Sequence, residues 1–137
     1  MNTRPLAILI AFAVIASSCA SQPEALPADV QVVVDMKDYT ITLSVATVKA
    51  GSVKFGIRNL GGMEHQFDLI RTDVAVDKLP TDGNAKARED GLVKQVKGIG
   101  SGKVATISAD LTPGRYLIIC NVTGHYQLGM RVELRVE

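Results

Sequence analysis

Three side chains that can ligate a metal lie close together near the C-terminus of the chain. They are the thiol of Cys120, the imidazole of His125 and the thioether of Met130, within a stretch of eleven residues. The chain has two histidines, and the other one, His65, lies far upstream. Two imidazoles, one thiolate and a weak thioether form the donor set that proteins use for mononuclear electron-transfer copper. These four residues are therefore candidate ligands of a single copper ion.

The same residue types also allow other chemistry. Two histidines and a cysteine can hold catalytic zinc with water in the fourth position, although a methionine as the fourth ligand disfavours zinc. A cysteine hydrolase needs an exposed thiol beside a histidine, whereas Cys120 ends a predicted strand that faces the core. A lone cysteine or methionine is more often core packing than a ligand. The order and spacing of the four residues favour the copper site.

Composition describes one globular domain without affinity for nucleic acid. The 137 residues are 47% apolar and 21% charged, which is typical of a soluble fold with a real core. Without Arg4, which lies in the N-terminal segment discussed next, the chain has 14 basic and 14 acidic residues. A neutral chain without a basic stripe argues against binding to nucleic acid.

The N-terminus has the pattern of an export signal. After Arg4, the eleven apolar residues Leu6–Ala16 are followed by small residues up to Cys19. This run is too short to span a bilayer as a mature helix and resembles the signal segment of bacterial lipoproteins. We predict that residues 1–18 are a signal peptide and that Cys19 is lipidated. The protein is then periplasmic or otherwise extracytoplasmic and anchored to the membrane, with plain cleavage nearby as the alternative.

The remaining chain divides into a tether and a domain. Residues 19–29 contain two prolines and no apolar periodicity, so we predict a flexible tether followed by a copper domain at 30–137. With Cys19 lipidated or removed, Cys120 is the only thiol left in an exported protein. Unpaired thiols are usually avoided in that compartment, so Cys120 needs a functional reason.

Apolar residues recur at every second position over most of the domain, which predicts half-buried β-strands. One predicted strand begins at His65. His65, Phe67 and Leu69 lie on one face of this strand, and Gln66 and Asp68 lie on the other. The region 73–102 is predicted to be a loop-rich excursion with at most a short helix at 85–90. We expect an all-β, antiparallel Greek-key sandwich or barrel of about seven or eight strands. Other inward-facing sets are Val32 and Val34; Tyr39, Ile41, Leu43 and Val45; Val53, Phe55 and Ile57; Tyr116, Ile118 and Cys120; and Met130, Val132, Leu134 and Val136.

Two motifs carry a resemblance to a known family. The first is Asn59-Leu60-Gly61, three further residues and then His65-Gln66-Phe67, and the second is Cys120, four residues, His125, four residues and Met130. The chain from about residue 30 resembles the cupredoxins, the small blue copper proteins, and its second spacing is similar to that of rusticyanin and sulfocyanin. The resemblance implies one type 1 copper ion, with His65, Cys120 and His125 as equatorial ligands and Met130 as the axial ligand. Many relatives have Asn at the position of Gln66 and Pro at that of Thr123.

These residues predict an electron carrier rather than an enzyme, because four protein ligands leave no open position for a substrate. We expect a monomer that cycles copper between Cu(I) and Cu(II) and exchanges electrons with a redox protein donor and acceptor. The backbone amide of Gln66 is expected to donate to the Cys120 sulfur. His125 is expected to lie nearest the surface, flanked by Tyr126 and Leu128. A copper-carrier or copper-storage lipoprotein that delivers copper to another protein is the alternative.

Overall fold

Two β-sheets pack face to face in the computed structural model, which describes residues 24–137. One sheet has the strand order β2-β1-β4-β7 and the other β3-β9-β8-β5-β6. The predicted signal peptide at 1–18 and Cys19 lie outside the described residues. The elements are β1 Val32–Lys37, β2 Thr40–Leu43, β3 Thr47–Val48, β4 Gly51–Asn59, β5 His65–Arg71, β6 Leu92–Ile99, β7 Val104–Leu111, β8 Gly114–Ile119, α1 His125–Leu128 and β9 Arg131–Val136.

The predicted all-β sandwich is confirmed, with two differences in its details. Nine strands are present in residues 24–137 rather than seven or eight, and two of the pairings, β1 with β4 and β3 with β9, are parallel. After β2 the chain crosses to the opposite sheet as β3 and then returns as β4. Parallel strands cannot be joined by a tight hairpin and need a longer connection, which the passage through β2 and β3 provides between β1 and β4.

The core between the sheets follows the predicted alternation. Fully buried apolar side chains from both sheets form one cluster, including Val32, Val34, Phe55, Ile57, Phe67, Leu69, Ile118 and Leu134. Met36 is also buried there. Tyr39 and Val45, predicted to face inward, are exposed. They lie beyond the ends of β2, and Tyr39 has a left-handed backbone with φ 69° in the turn before that strand.

The prediction for residues 73–102 was wrong in one respect, because it missed a strand. Leu92–Ile99 forms strand β6, which pairs with β5. No helix is present at 85–90, where a single bridge instead joins Thr81 to Ala87. The register between β5 and β6 shifts twice, and such bulges break the two-residue period on which recognition of a strand in sequence depends.

The connection between β5 and β6, residues 72–91, covers the outer face of the second sheet and is called the excursion below. Its Leu79 and Ala87 pack with Ile70 of β5 and with Leu117 and Ile119 of β8 in a second buried cluster. Strand β8 therefore has apolar side chains on both faces because both faces are covered. None of the helices in the described part has the length and apolar character needed to cross a membrane.

The part of the predicted tether nearest to the domain lies against the first sheet. Leu26 and Val30 occupy the space above Gly56, where a Cβ atom would lie within 2.9 Å of both side chains. Asp29 pairs with Lys54 at 2.7 Å. Residues 26–30 therefore contact β4, while the domain boundary at residue 30 stays a prediction.

A buried carboxylate lies on the covered face of β5. Asp68 is 0% exposed, and its two oxygens accept hydrogen bonds from the Gln66 side-chain amide at 2.7 and 2.9 Å. Burial raises the pKa of Asp68 to about 6, because the loss of hydration outweighs the hydrogen bonds that favour the charged form. The sequence placed Asp68 opposite the core-facing residues, and the excursion is the reason that this position is buried.

We expect Asp68→Asn to change how stability depends on pH. The folded protein binds a proton at Asp68 more tightly than the unfolded chain does, so this group lowers stability as pH rises from about 4 to about 6. Relative to wild type, the variant should gain about 3 kcal/mol in the free energy of unfolding at pH 7 and little at pH 4. Urea denaturation of the metal-free protein at both values measures this difference.

The exposed Asp110 offers a matched control. Asp110→Asn makes the same change of charge and should leave the pH dependence unchanged. Parallel stability profiles for Asp68→Asn and wild type would show that burial does not perturb this carboxyl group.

Candidate metal centre

The pairing of β5 with β8 brings the first histidine to the cysteine. The strands are antiparallel neighbours with Asp68 opposite Ile119, so the start of β5 lies beside the end of β8. His65 is the first residue of β5, and Cys120 directly follows β8. Two residues 55 positions apart in sequence therefore become neighbours.

A tight loop between β8 and β9 carries the other candidate ligands. The N–H of Cys120 donates to the carbonyl of Met130 at 3.0 Å, and the N–H of Met130 donates to the carbonyl of His125 at 3.0 Å. The single turn α1 lies within this loop, and Gly129, with φ 122°, caps its C-terminal end. A Cβ atom at Gly129 would lie 2.9 Å from the carbonyl oxygen of Tyr39, so glycine is needed both for the backbone and for the close approach.

Three of the four predicted ligands converge on one small volume. The Cys120 Sγ atom lies 3.8 Å from Nδ1 of His65 and 3.4 Å from Nδ1 of His125. One donor atom from each residue lies within 4.8 Å of the others. Met130 is fully buried in the same core cluster as Cys120. The structure therefore brings three of the predicted ligands together, and the backbone of Met130, the fourth, is hydrogen-bonded to that of Cys120.

The electrostatics of these donors suit a soft cation. Burial, and then the nearby His125, lower the pKa of His65, so its imidazole is neutral at pH 7 and keeps a lone pair for a metal. Burial raises the pKa of the Cys120 thiol, against the backbone N–H groups of Val122 and Gln66. A metal that displaces this proton supplies the positive charge that the buried sulfur lacks. Nitrogen and sulfur donors of this kind fit copper rather than a hard ion.

The predicted hydrogen bond to the sulfur is present. The Gln66 N–H donates to Cys120 Sγ at 3.3 Å, and this contact is confirmed. Donation from an N–H group to a metal-bound sulfur draws negative charge from it and so tunes the site.

The ligand loop is held from outside by two residues whose roles the sequence did not reveal. Asn121 exchanges hydrogen bonds with the backbone of Ala87, at 2.8 Å to its N–H and 2.9 Å to its carbonyl. The Tyr126 hydroxyl donates to the Val76 carbonyl and accepts from the Leu79 N–H at 2.9 Å. Tyr126 is therefore buried and not part of the surface near His125, where it was expected. The excursion braces the loop in this way.

His125 lies nearest the surface among the three converging ligands, as expected. Its side chain is 7% exposed while His65 and Cys120 are fully buried. Tyr39 contacts the His125 ring edge to face, with centroids 5.9 Å apart. Leu128, three residues further along α1, is 60% exposed. An imidazole edge thus reaches the surface among apolar side chains.

Comparison with known proteins gives one family and one fold. A family model described as "Sulfocyanin (SoxE) domain" matches residues 48–137. No curated protein matches the chain at a significant level.

Several solved structures are similar to this chain. Reduced auracyanin from the photosynthetic bacterium Roseiflexus castenholzii is 16% identical, with a TM-score of 0.56 over 77% of this chain and 94% of that one. An azurin from the methylotroph Methylomonas sp. strain J is 20% identical, with a TM-score of 0.53 over 77% and 95%. Rusticyanin from Thiobacillus ferrooxidans is 18% identical, with a TM-score of 0.58 over 77% and 75%. At these identities, the likeness shows a shared fold.

Proposed function

Because the chain belongs to the sulfocyanin (SoxE) domain family of cupredoxins, we propose that it carries single electrons on one type 1 copper ion. His65, Cys120, His125 and Met130 would hold the ion. The observation that carries this proposal is the buried cluster of two imidazoles and a thiol, with donor atoms within 4.8 Å. When bound, copper supplies a one-electron couple between Cu(I) and Cu(II).

The protein's part is to keep the donor atoms in place in both oxidation states. His65 is fixed by the β5–β8 pairing, and His125 by a loop whose backbone is hydrogen-bonded to Cys120 and Met130. Donors that are already in position need little rearrangement when an electron arrives or leaves. All three converging donors are buried, so a substrate cannot reach the ion, which supports a carrier rather than an enzyme.

Addition of Cu(II) to the metal-free protein should produce an intense visible absorption band, because a thiolate bound to Cu(II) donates charge to it. Cys120→Ser should abolish this band, whereas Cys19→Ser should leave it unchanged and serves as the matched control. Visible absorption and electron paramagnetic resonance measure the result.

A colourless wild-type protein would contradict the copper site. Rapid loss of Cu(I) to a chelator during redox cycles would contradict the electron carrier and support the copper-carrier or copper-storage alternative.

The electron is proposed to pass through His125, which lies nearest the surface among the three converging ligands. Tyr39, Leu60, Met63 and Leu128 are exposed apolar side chains from the ligand loop and the turns beside it. They give a redox partner an apolar contact surface near the metal. Leu128 is uncharged and does not repel a charged partner.

Leu128→Asp should slow electron self-exchange between the oxidised and reduced protein by about tenfold, since two like charges then meet in the encounter pair at a cost of about 1.4 kcal/mol. The visible spectrum should not change, because Leu128 is not a ligand. Nuclear magnetic resonance line broadening in mixtures of the two forms measures the rate. Leu92→Asp, an exposed site on β6, is the control, and an equal effect of both variants would exclude this surface.

We also propose that a lipid on Cys19 holds the metal end of the domain near a membrane. Glu24 lines the same surface cavity as Arg58, Leu60, Gly61 and Lys103. Gly61 in turn lies against His65. Five residues from Cys19 to Glu24 span at most about 18 Å, so an anchor at Cys19 keeps this end close to the lipid surface. The electron donor or acceptor would then be a membrane-associated redox protein.

The full chain, expressed in a Gram-negative host with labelled palmitate, should incorporate the label and fractionate with membranes. Cys19→Ser should remove both properties because the acylated thiol is lost, while Cys120→Ser should keep them. Gel autoradiography of the membrane and soluble fractions measures the outcome. Label retained in Cys19→Ser would contradict the anchor.

A further inference from the structure

The ring nitrogen of His65 that faces away from the sulfur lies beside a carboxylate. His65 Nδ1 points to Cys120, and His65 Nε2 lies 3.3 Å from Oδ1 of Asp38. Nε2 is buried and has no assigned hydrogen-bond partner, although the Asp38 oxygen lies at this short distance. A buried ring N–H without a partner is unfavourable. Asp38 is the acceptor within reach.

Asp38 is held in this position by the loop before His65. It lies in the turn between β1 and β2 and accepts the Gly62 N–H with both oxygens at 3.1 Å. The Met63 N–H approaches Oδ1 at 3.4 Å. Asn59 steadies the same loop, because its side-chain amide donates to the Met63 carbonyl at 2.7 Å. The carboxylate is therefore aimed at the imidazole by contacts that do not involve the imidazole itself.

Gly61 makes this approach possible. A Cβ atom at residue 61 would overlap the Asp38 carboxylate and would lie 2.9 Å from Nε2 of His65. The φ angle of Gly61 is not in the positive region that favours glycine. The absence of a side chain at this position therefore serves the close approach of carboxylate and imidazole rather than the backbone.

We propose that Asp38 is a positioning residue for the metal centre, whose carboxylate accepts a hydrogen bond from the Nε2–H of His65 and so keeps the ring proton on Nε2 and the lone pair on Nδ1. This inference rests on the proposed copper site. A carboxylate behind a metal-bound imidazole fixes the tautomer and the ring orientation and makes the imidazole a stronger donor. Its negative charge also favours Cu(II) over Cu(I), so Asp38 lowers the reduction potential of the site.

Asp38→Asn tests this role because asparagine keeps one oxygen for the Gly62 N–H, while it removes the charge and replaces the second acceptor oxygen with an NH2 donor. The variant should have a higher reduction potential than wild type and a 10- to 100-fold lower affinity for Cu(II). Spectroelectrochemistry measures the potential, and competition with a chelator measures the affinity. The free energy of unfolding of metal-free Asp38→Asn should match that of the control variant described next, because the loop contacts remain.

Glu64→Gln is the matched control. It makes the same change of charge at the residue next to His65, but Glu64 is exposed and has no contact with Nε2 among the described hydrogen bonds and ion pairs. Its potential and affinity should stay close to those of wild type. Gly61→Ala is a second test, since it keeps the charge but displaces the carboxylate, and it should also weaken Cu(II) binding.

The outcomes separate this inference from the copper site itself. A wild-type protein that fails to bind copper would overturn both. A blue wild-type protein whose potential and affinity are unchanged in Asp38→Asn would overturn only the role of Asp38, which would then be a brace for the loop. An equal shift in Glu64→Gln would also overturn it, because any nearby charge would have the same effect.

Discussion

The antiparallel pairing of β5 with β8 is the constraint on which the metal centre depends. It places the first residue of β5 against the residue that follows β8, and so sets His65 beside Cys120. The ligand loop then returns to β9, which is hydrogen-bonded to the other side of β8. The donor atoms are thus tied to three adjacent strands of one sheet. A ligand cannot move far without breaking backbone hydrogen bonds, and this rigidity is what a one-electron carrier requires.

The excursion between β5 and β6 extends this constraint to the outer face of the sheet. Its backbone binds the side chains of Asn121 and Tyr126, on either side of the turn that leads to His125. It also buries Asp68, whose negative charge adds to the burial that disfavours the Cys120 thiolate. Loss of hydration and a nearby carboxylate together make a bare anion at the sulfur unfavourable. A proton or a metal cation at the sulfur relieves both effects, so the buried thiolate needs a positive partner.

The two carboxylates near β5 therefore have different consequences. Asp68 is fully buried and paired with an amide, and its influence is on stability and on the sulfur. Asp38 is partly exposed and faces the imidazole, and its influence is on one ligand. Both depend on small structural details around them: the covering excursion for Asp68 and the missing side chain at Gly61 for Asp38.

The sequence alone identified the four candidate ligands, the all-β class and the inward faces of most strands. Side chains alternate across a strand whatever its neighbours are, and the spacing of Cys120, His125 and Met130 lies within one loop. Only the tertiary structure decided that β6 is a strand, that two pairings are parallel, and that Asp38, Asn121 and Tyr126 support the site. These contacts join residues 24 to 50 positions apart, and bulges disrupt the period of β5 and β6. Such pairings arise from the packing of whole sheets, which no local pattern of residues encodes.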